Sequence, residues 1–216
     1  MSHSFDGDQL ELNRIYTNEA GNELSVSKLK YLLSNFKMTN KDGDIIEFDS
    51  SYVFIDYSTG RVDFELNEVE VGNYQSIRFN LGVDSLINST DPNIFPQDSP
   101  LNPIVNDMYW NWVDGFIFMS IEGLIYEDSE LKDAITYHIG LNKSNIVIEI
   151  NDEFEIDETE NINIELDVAK IFKSETQISV NDYPFVTHSK SDFGLSDALA
   201  VNIKSSFSIK LNYYEN

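Results

Sequence analysis

The side chains with the strongest capacity for metal chemistry in this sequence are its three histidines. His3, His138 and His188 lie far apart along a chain that has no cysteine. Imidazole nitrogens bind copper, zinc and iron, and a fold can bring distant histidines to one ion. The missing cysteines exclude thiolate-ligated zinc, iron–sulfur clusters, disulfides and thiol catalysis. We rank His138 first as a ligand, then His3 and His188, although each histidine by itself also suits a structural position.

Both tryptophans lie in one aromatic run, Met108–Trp112. Trp110 and Trp112 act by default as anchors of packing, and with Met108 and Met119 they could also complete a copper-type environment. The stretch before this run, Asn88–Met108, holds four of the five prolines. A loop of about 20 residues is uncommon unless it is functional or disordered. We expect the aromatic run to fix this Pro-rich loop to the rest of the fold.

Other kinds of site have little support in the sequence. It has no Gly-x-Ser-x-Gly motif, no phosphate-binding loop and no dinucleotide fingerprint. The 38 acidic residues allow so many carboxylate pairs that no pair points to glycoside hydrolysis. Asn88–Asp91 and Asp98–Asp107 offer oxygen ligands for calcium, but no EF-hand loop is present. We therefore predict a protein that is not an enzyme and has no catalytic residues.

Charge and hydropathy limit the partners. With 14 basic and 38 acidic residues the net charge is −24, which opposes binding to nucleic acid or to an anionic membrane surface. No apolar run reaches the ~18 residues that span a bilayer. The first residues lack a signal peptide, yet Phe5 and Leu10 already fit a core pattern. We expect a leader to have been removed from the start, with a lipid anchor on it in the full-length gene.

The elements that must position these residues are short strands. Period-two alternation and turn residues predict strands at Leu29–Met38, Ile45–Phe48, Tyr52–Tyr57, Val62–Val69, Ser76–Leu81, Phe116–Glu122, Ile135–Ile139, Ile146–Ile150, Ile162–Leu166 and Phe207–Leu211. Short helices are predicted at Asp167–Phe172 and from Ser191 or Asp192 to Lys204. The fold class is all-β: one domain, residues 1–216, forming an antiparallel β-sandwich of Ig-like or jelly-roll-like type with one or two short helices.

Several segments, in order along the chain, are similar to one protein family. The most specific is a Met-x-Trp-x-Trp run followed by Gly115-Phe116, and the others are Ser2–Phe5, Ser27–Asn35, Gly72–Tyr74, Leu81–Ser85, Ser99–Pro103, Tyr137–Gly140 and Asn202–Phe207. Together they resemble the MbnP-like family, which includes methanobactin-associated and copper-repressible surface proteins and a lipoprotein branch in Bacteroidetes.

The resemblance implies a β-rich extracytoplasmic domain in the periplasm or at the cell surface. In copper-binding members a tryptophan oxidised to kynurenine joins histidines as a ligand, and a partner di-haem enzyme performs the oxidation. Trp110 and Trp112 are the candidates for that aromatic here. The chain departs from the copper-binding branch where Ser89 follows Asn88 instead of a histidine, and where no cysteine follows Gly140. His3 or His188 would have to replace the missing imidazole.

Two functions from different classes follow. The first is a non-enzymatic, extracytoplasmic metal-handling protein, with copper as the favoured metal and a di-haem peroxidase-like protein or an outer-membrane receptor as partner. The second is a surface-exposed module that binds carbohydrate or protein through the Pro-rich loop and the tryptophans, with no metal. Convergence of the histidines would favour the first, and an open tryptophan pair with dispersed histidines would favour the second.

Overall fold

A computed structural model describes residues 1–67, 69–110, 115–140, 146–157, 162–188 and 194–210. The described residues form thirteen strands: β1 Ser2–Phe5, β2 Asp8–Gln9, β3 Tyr16–Thr17, β4 Glu23–Asn40, β5 Ile45–Asp56, β6 Gly72–Leu81, β7 Ile117–Glu127, β8 Glu130–Gly140, β9 Ile146–Ile150, β10 Phe154–Ile156, β11 Asn163–Asp167, β12 Val186–Thr187 and β13 Phe207–Lys210. Four short helices join them: α1 Ser85–Asn88, α2 Pro103–Asn106, α3 Val168–Phe172 and α4 Leu195–Ile203. None of the helices in these ranges is long and apolar enough to cross a membrane.

The strands form two sheets, as expected for a sandwich-like all-β fold. The larger, nine-stranded sheet has the order β10-β6-β4-β7-β8-β12, with β3 and β5 also paired to β4 and β9 paired to β6. The smaller sheet has the order β13-β11-β1-β2. Most neighbours are antiparallel, but β1 with β11 and β12 with β8 are parallel pairs that the predicted antiparallel sandwich did not include.

The inner face of the nine-stranded sheet packs on the four-stranded sheet. Phe207 from β13 lies edge-on to Tyr31 of β4 and Phe79 of β6, with ring centroids 6.2 and 5.4 Å apart. Side chains alternate between the two faces of a strand, so Tyr31 and its cross-strand neighbour Met119 point inward while Lys30 and its neighbour Ser120 point outward. This alternation places most of the buried apolar side chains between the sheets.

The Pro-rich loop and the residues after it build a second core on the outer face of the large sheet. We call this cluster the loop core, and its buried members are Leu32, Phe54, Val83, Leu101, Met108, Trp110, Phe116, Ile117 and Phe118. Loop residues also form α1, α2 and a 3₁₀ turn at Pro92–Ile94. Met108 and Trp110 of the aromatic run thus fix the loop to the sandwich, and the loop contains more helical turns than expected.

Two strand predictions need correction. The separate strands predicted at Ile45–Phe48 and Tyr52–Tyr57 are one strand, β5, which pairs with β4 across a bulge between Ser34 and Phe36. The strand predicted at Val62–Val69 is wrong, since residues 62–67 and 69 belong to no strand. Its period-two pattern reflects alternate side chains that pack on the core between the sheets without a backbone ladder.

Candidate functional site

Two of the three histidines are neighbours on the outer face of the nine-stranded sheet. His138 lies on β8 beside Ser120 of β7. β12 runs parallel to β8 with Thr187 opposite Tyr137, which brings the next residue, His188, alongside His138. The two imidazole centroids are 5.3 Å apart. His138 is half-buried and His188 is exposed, so the pair lies at the surface of the protein.

Trp110 forms a wall of the same site. Its indole lies edge-on to the His188 ring, with centroids 6.5 Å apart and planes at 85°. Trp110 belongs to the loop core and is only 6% exposed. Gly140 lies two residues after His138 on the same strand, and its lack of a side chain allows the indole to pack against β8. A Cβ at this position would lie 2.5 Å from Cζ3 of the indole. The end of β8 therefore positions both the imidazole and the indole.

A carboxylate and an ammonium group stand beside His138. Glu122 Oε1 lies 3.3 Å from His138 Nε2, and Lys28 Nζ lies 3.0 Å from both oxygens of Glu122. Ser120 Oγ donates to Glu122 Oε1 at 3.3 Å. Burial alone would raise the pKa of Glu122, but the hydrogen bonds from Lys28 and His138 outweigh it and the pKa lies below its ordinary value. Burial lowers the pKa of His138, and Glu122 only partly opposes this.

These side chains line a cleft of about 260 Å³, which we call the histidine cleft. Its walls come from β4, β7, β8, the end of the Pro-rich loop and the residue after β12: Lys28, Lys30, Asp107, Met108, Tyr109, Trp110, Ile117, Ser120, Glu122, His138 and His188. The two lysines and two acids in this set carry balanced formal charges. In a chain of charge −24, the cleft is therefore less acidic than the protein as a whole.

His3 is not part of the histidine cleft. Its Nε2 shares a hydrogen bond of 2.8 Å with the hydroxyl of Tyr31, and its ring lies 4.5 Å from that of Tyr57. Tyr31 projects from the inner face of the large sheet, whereas His138 projects from the outer face. The structure thus separates His3 from the other two predicted ligands by a full layer of sheet, and a single ion shared by all three histidines does not fit it.

The other predicted site residues are distributed as follows. Met108 is a buried wall of the cleft, whereas Met119 points into the inner core. Trp112 lies outside the described residues. In the ranges that the structure describes, no three His, Asp or Glu side chains are grouped so that they could hold a metal ion. The cleft therefore brings together His138, His188 and Trp110 as a pair of imidazoles beside an indole.

Sequence reasoning missed Glu122 and Lys28 as members of the site. The signal was present in the alternation of the predicted strand Phe116–Glu122, since Phe118, Ser120 and Glu122 share one face. Choosing Glu122 from 38 acids also required the pairing of β7 with β8, which no single-strand pattern reveals.

Replacing Gly140 by Ala tests how closely the indole is seated. The added Cβ would lie 2.5 Å from Trp110 and 2.7 Å from the carbonyl oxygen of Phe116, so the ring must move. Overpacking of this kind costs about 1–3 kcal/mol of unfolding free energy, which urea unfolding would measure. Tryptophan fluorescence should shift at the same time. The double variant G140A/W110F should recover part of the loss, and purely additive effects would contradict the contact.

The fold and the cleft together define an all-β sandwich protein with a two-histidine surface site bordered by a tryptophan. The family model described as MbnP matches residues 1–189, so the chain belongs to the MbnP family. Among solved structures it is similar in fold to MbnP from Methylosinus trichosporium, with a TM-score of 0.53, 15% identity, and coverage of 82% of this chain and 77% of that one. No curated protein matches the chain.

Proposed function

We propose that this protein is a non-enzymatic, extracytoplasmic metal-handling protein and that it binds copper in the histidine cleft. The observation that carries the proposal is the pairing of His138 and His188, whose imidazole centroids are 5.3 Å apart beside the indole of Trp110. The two residues are 50 positions apart in sequence and meet because β12 adds to the edge of β8 in parallel. Because the chain belongs to the MbnP family, copper is the metal that we propose for this pair.

The donor set suits copper better than other common metals. Zinc in structural sites takes four ligands in a tetrahedron, and calcium takes six to eight oxygens. The described part of the chain offers neither set at this place, because no three of its His, Asp or Glu side chains are grouped to hold an ion and the carboxylate of Glu122 is already bonded to Lys28. Imidazole and thioether groups favour copper, and Met108 supplies a thioether in the wall.

Among the described residues, Trp110 is the candidate for modification, because it lies beside His188. Indole is only a hydrogen-bond donor, whereas the aromatic amine and ketone of kynurenine can bind a metal. Oxidation of Trp110 by a partner di-haem enzyme would therefore add a ligand beside His188. An intact mass of protein from its native host would reveal the replacement of an indole carbon by an oxygen, and its absence would leave Trp110 as a packing residue.

The same proposal covers location and partners. A protein that receives copper outside the cytoplasm fits a periplasmic or cell-surface location, where a lipid anchor would hold it. Its partners would be a di-haem peroxidase-like enzyme or an outer-membrane receptor. The charge of −24 continues to argue against nucleic acid as a partner.

Titration with Cu(I) and Cu(II) tests the metal proposal. We expect one site tighter than about 1 μM, which corresponds to roughly 8 kcal/mol, in the unmodified chain. His138→Ala and His188→Ala should each weaken binding strongly, because each removes one of two imidazoles. His3→Gln is the matched control and should bind copper as the parent does. Binding weaker than this limit, or equal binding in all variants, would refute the proposal.

A protein-binding surface is the second candidate, and the Pro-rich loop favours it over a carbohydrate site. Leu86, Ile94 and Ile104 are 77, 67 and 81% exposed on successive helical turns that cover the outer face of the sheet. Trp110 is buried and so offers no open stacking platform for a sugar. Replacing these three exposed residues by Ser should leave copper binding unchanged, because none of them lines the histidine cleft. If the loop is a protein-binding surface, the same replacement should abolish binding of the partner protein.

A further inference from the structure

Glu122 makes polar contacts with three other residues of the histidine cleft. It receives hydrogen bonds from Lys28 on β4 and Ser120 on β7, and it contacts His138 on β8, so three adjacent strands converge on one carboxylate. Its side chain is 29% exposed and that of His138 is 17% exposed. This shielding from water makes the contacts stronger than similar ones on an open surface.

The direction of the Glu122–His138 hydrogen bond follows from the charge on the carboxylate. Lys28 Nζ lies 3.0 Å from both oxygens of Glu122, and this ammonium group holds the carboxylate in its ionised form. An ionised carboxylate can only accept hydrogen bonds. The 3.3 Å contact therefore requires His138 Nε2 to carry the proton and to donate it.

We propose that Glu122 is a positioning residue for His138: it holds the imidazole in the Nε2-protonated tautomer, so that the lone pair of the ring lies on Nδ1. In metal sites, a ligand histidine commonly donates its second ring N–H to a carboxylate, which fixes the ring and makes the ligand more basic. Here Lys28 on β4 bonds to Glu122 on β7, and Glu122 in turn accepts from His138. Two neighbouring strands therefore support the imidazole. This inference deepens the proposed copper function and rests on it only for the metal readout.

The tautomer can be measured without any metal. In the metal-free, ¹⁵N-histidine-labelled full chain at neutral pH, long-range ¹H–¹⁵N correlations should show His138 with a protonated Nε2 and an unprotonated Nδ1. In Glu122→Leu the Nε2–H loses its acceptor, so we expect its cross-peak to broaden by exchange with water and the Nδ1-protonated form to become populated. A proton on Nδ1 in the parent chain, or an unchanged tautomer in E122L, would overturn the inference.

Glu127→Gln is the matched control, because Glu127 lies on the same strand and is also paired with a lysine, Lys132, at 3.2 Å, but is 69% exposed. E127Q should leave the His138 signals unchanged. Circular dichroism and urea unfolding check that E122L folds, and Glu122→Ala removes the same acceptor if it does not.

Copper titration separates this inference from the proposed function. Loss of a supporting carboxylate of this kind typically weakens a metal site about 10–100-fold, and we expect that change in E122L but not in E127Q. If the parent chain binds no copper, the proposed function fails, and the metal-free tautomer still decides the role of Glu122. If the parent binds copper and E122L binds it equally well, Glu122 does not position the ligand and the inference fails.

Discussion

Lowering the pH from about 7 to about 5 is expected to destabilise the protein through His3, whose unfolded pKa is near 6.5. The imidazole is 3% exposed between the two sheets. Burial, with a smaller contribution from the nearby N-terminal ammonium group, lowers the pKa of His3 to about 3. Its Nε2 already shares a hydrogen bond with Tyr31, and its Nδ1 has no hydrogen-bond partner among the described residues. A second ring proton would therefore be buried without an acceptor.

The sign of the effect follows from which state binds the proton. Below pH 6.5 the unfolded chain protonates its histidine while the folded chain does not, so the free energy of unfolding falls as the pH falls. The loss grows by about 1.4 kcal/mol per pH unit and is complete near the folded pKa. Over the full interval from 6.5 to about 3 it approaches roughly 4–5 kcal/mol.

Urea unfolding at about pH 7 and about pH 5 measures this loss, since the carboxylates with ordinary pKa values are still ionised at both values. We expect about 2 kcal/mol less stability at the lower pH in the parent chain. His3→Gln, which keeps an amide to pair with Tyr31, should lose much less. His138→Gln is the matched control and should retain most of the decrease, because His138 is far less buried. Equal slopes in the parent and H3Q would show that another group causes the acid sensitivity.

His3 also shows what residue type and position can and cannot predict. A histidine near the start of the chain was a plausible metal ligand, and nothing in its local sequence indicated a buried place between sheets. That place results from β1 pairing with β11, a parallel contact between segments separated by more than 150 residues. His188 reached its neighbour through the parallel pairing of β12, a strand of only two residues. Short parallel pairs leave almost no periodicity for sequence reasoning to use.

Strands with strong alternation were predicted much more accurately. Ile146–Ile150 has the predicted bounds, and Ile162–Leu166 is shifted by one residue in β11. The predicted start of the last helix, Ser191 or Asp192, lies outside the described residues, within which α4 begins at Leu195 after Gly194. At Val62–Val69 the same alternation was misleading, because alternate burial can arise from packing alone. Hydrophobic pattern thus predicts which face of a segment is buried more reliably than which strand it pairs with.

The position of the histidine cleft depends on the Pro-rich loop as much as on the sheet. Without the Pro-rich loop, the outer face of the large sheet would expose the apolar side chains of Leu32 and Phe54 to water. The loop covers them, and the residues at and just after its end, Asp107 to Trp110, form one wall of the cleft. Lys30 connects the two parts, because its Nζ is 3.9 Å from both Asp56 on the sheet and Asp107 on the loop. Anything that detaches the loop should therefore disturb the site.

Asn106 is the residue whose loss should detach it most effectively. Its side chain is fully buried, its Nδ2 donates to the carbonyl of Pro100 at 2.7 Å, and its Oδ1 accepts from the amide of Met108 at 2.7 Å. Asn106→Ala leaves the partly buried carbonyl of Pro100 and the buried amide of Met108 without these partners. Each unsatisfied group costs about 1–3 kcal/mol, so we expect a loss of roughly 2–5 kcal/mol in unfolding free energy, measured by urea unfolding.

Asn93→Ala is the control for this prediction, because Asn93 is an exposed residue of the same loop and its side chain bonds, within the described ranges, only to the nearby Asp91. A surface change of this kind should stay within about 0.5 kcal/mol. Copper binding should weaken in N106A and remain unchanged in N93A, since Met108 and Trp110 keep their places only while the loop turns back onto the sheet. If N106A were as stable as N93A, the two hydrogen bonds would not hold the loop. The wall of the cleft would then depend on the apolar contacts of the loop core alone.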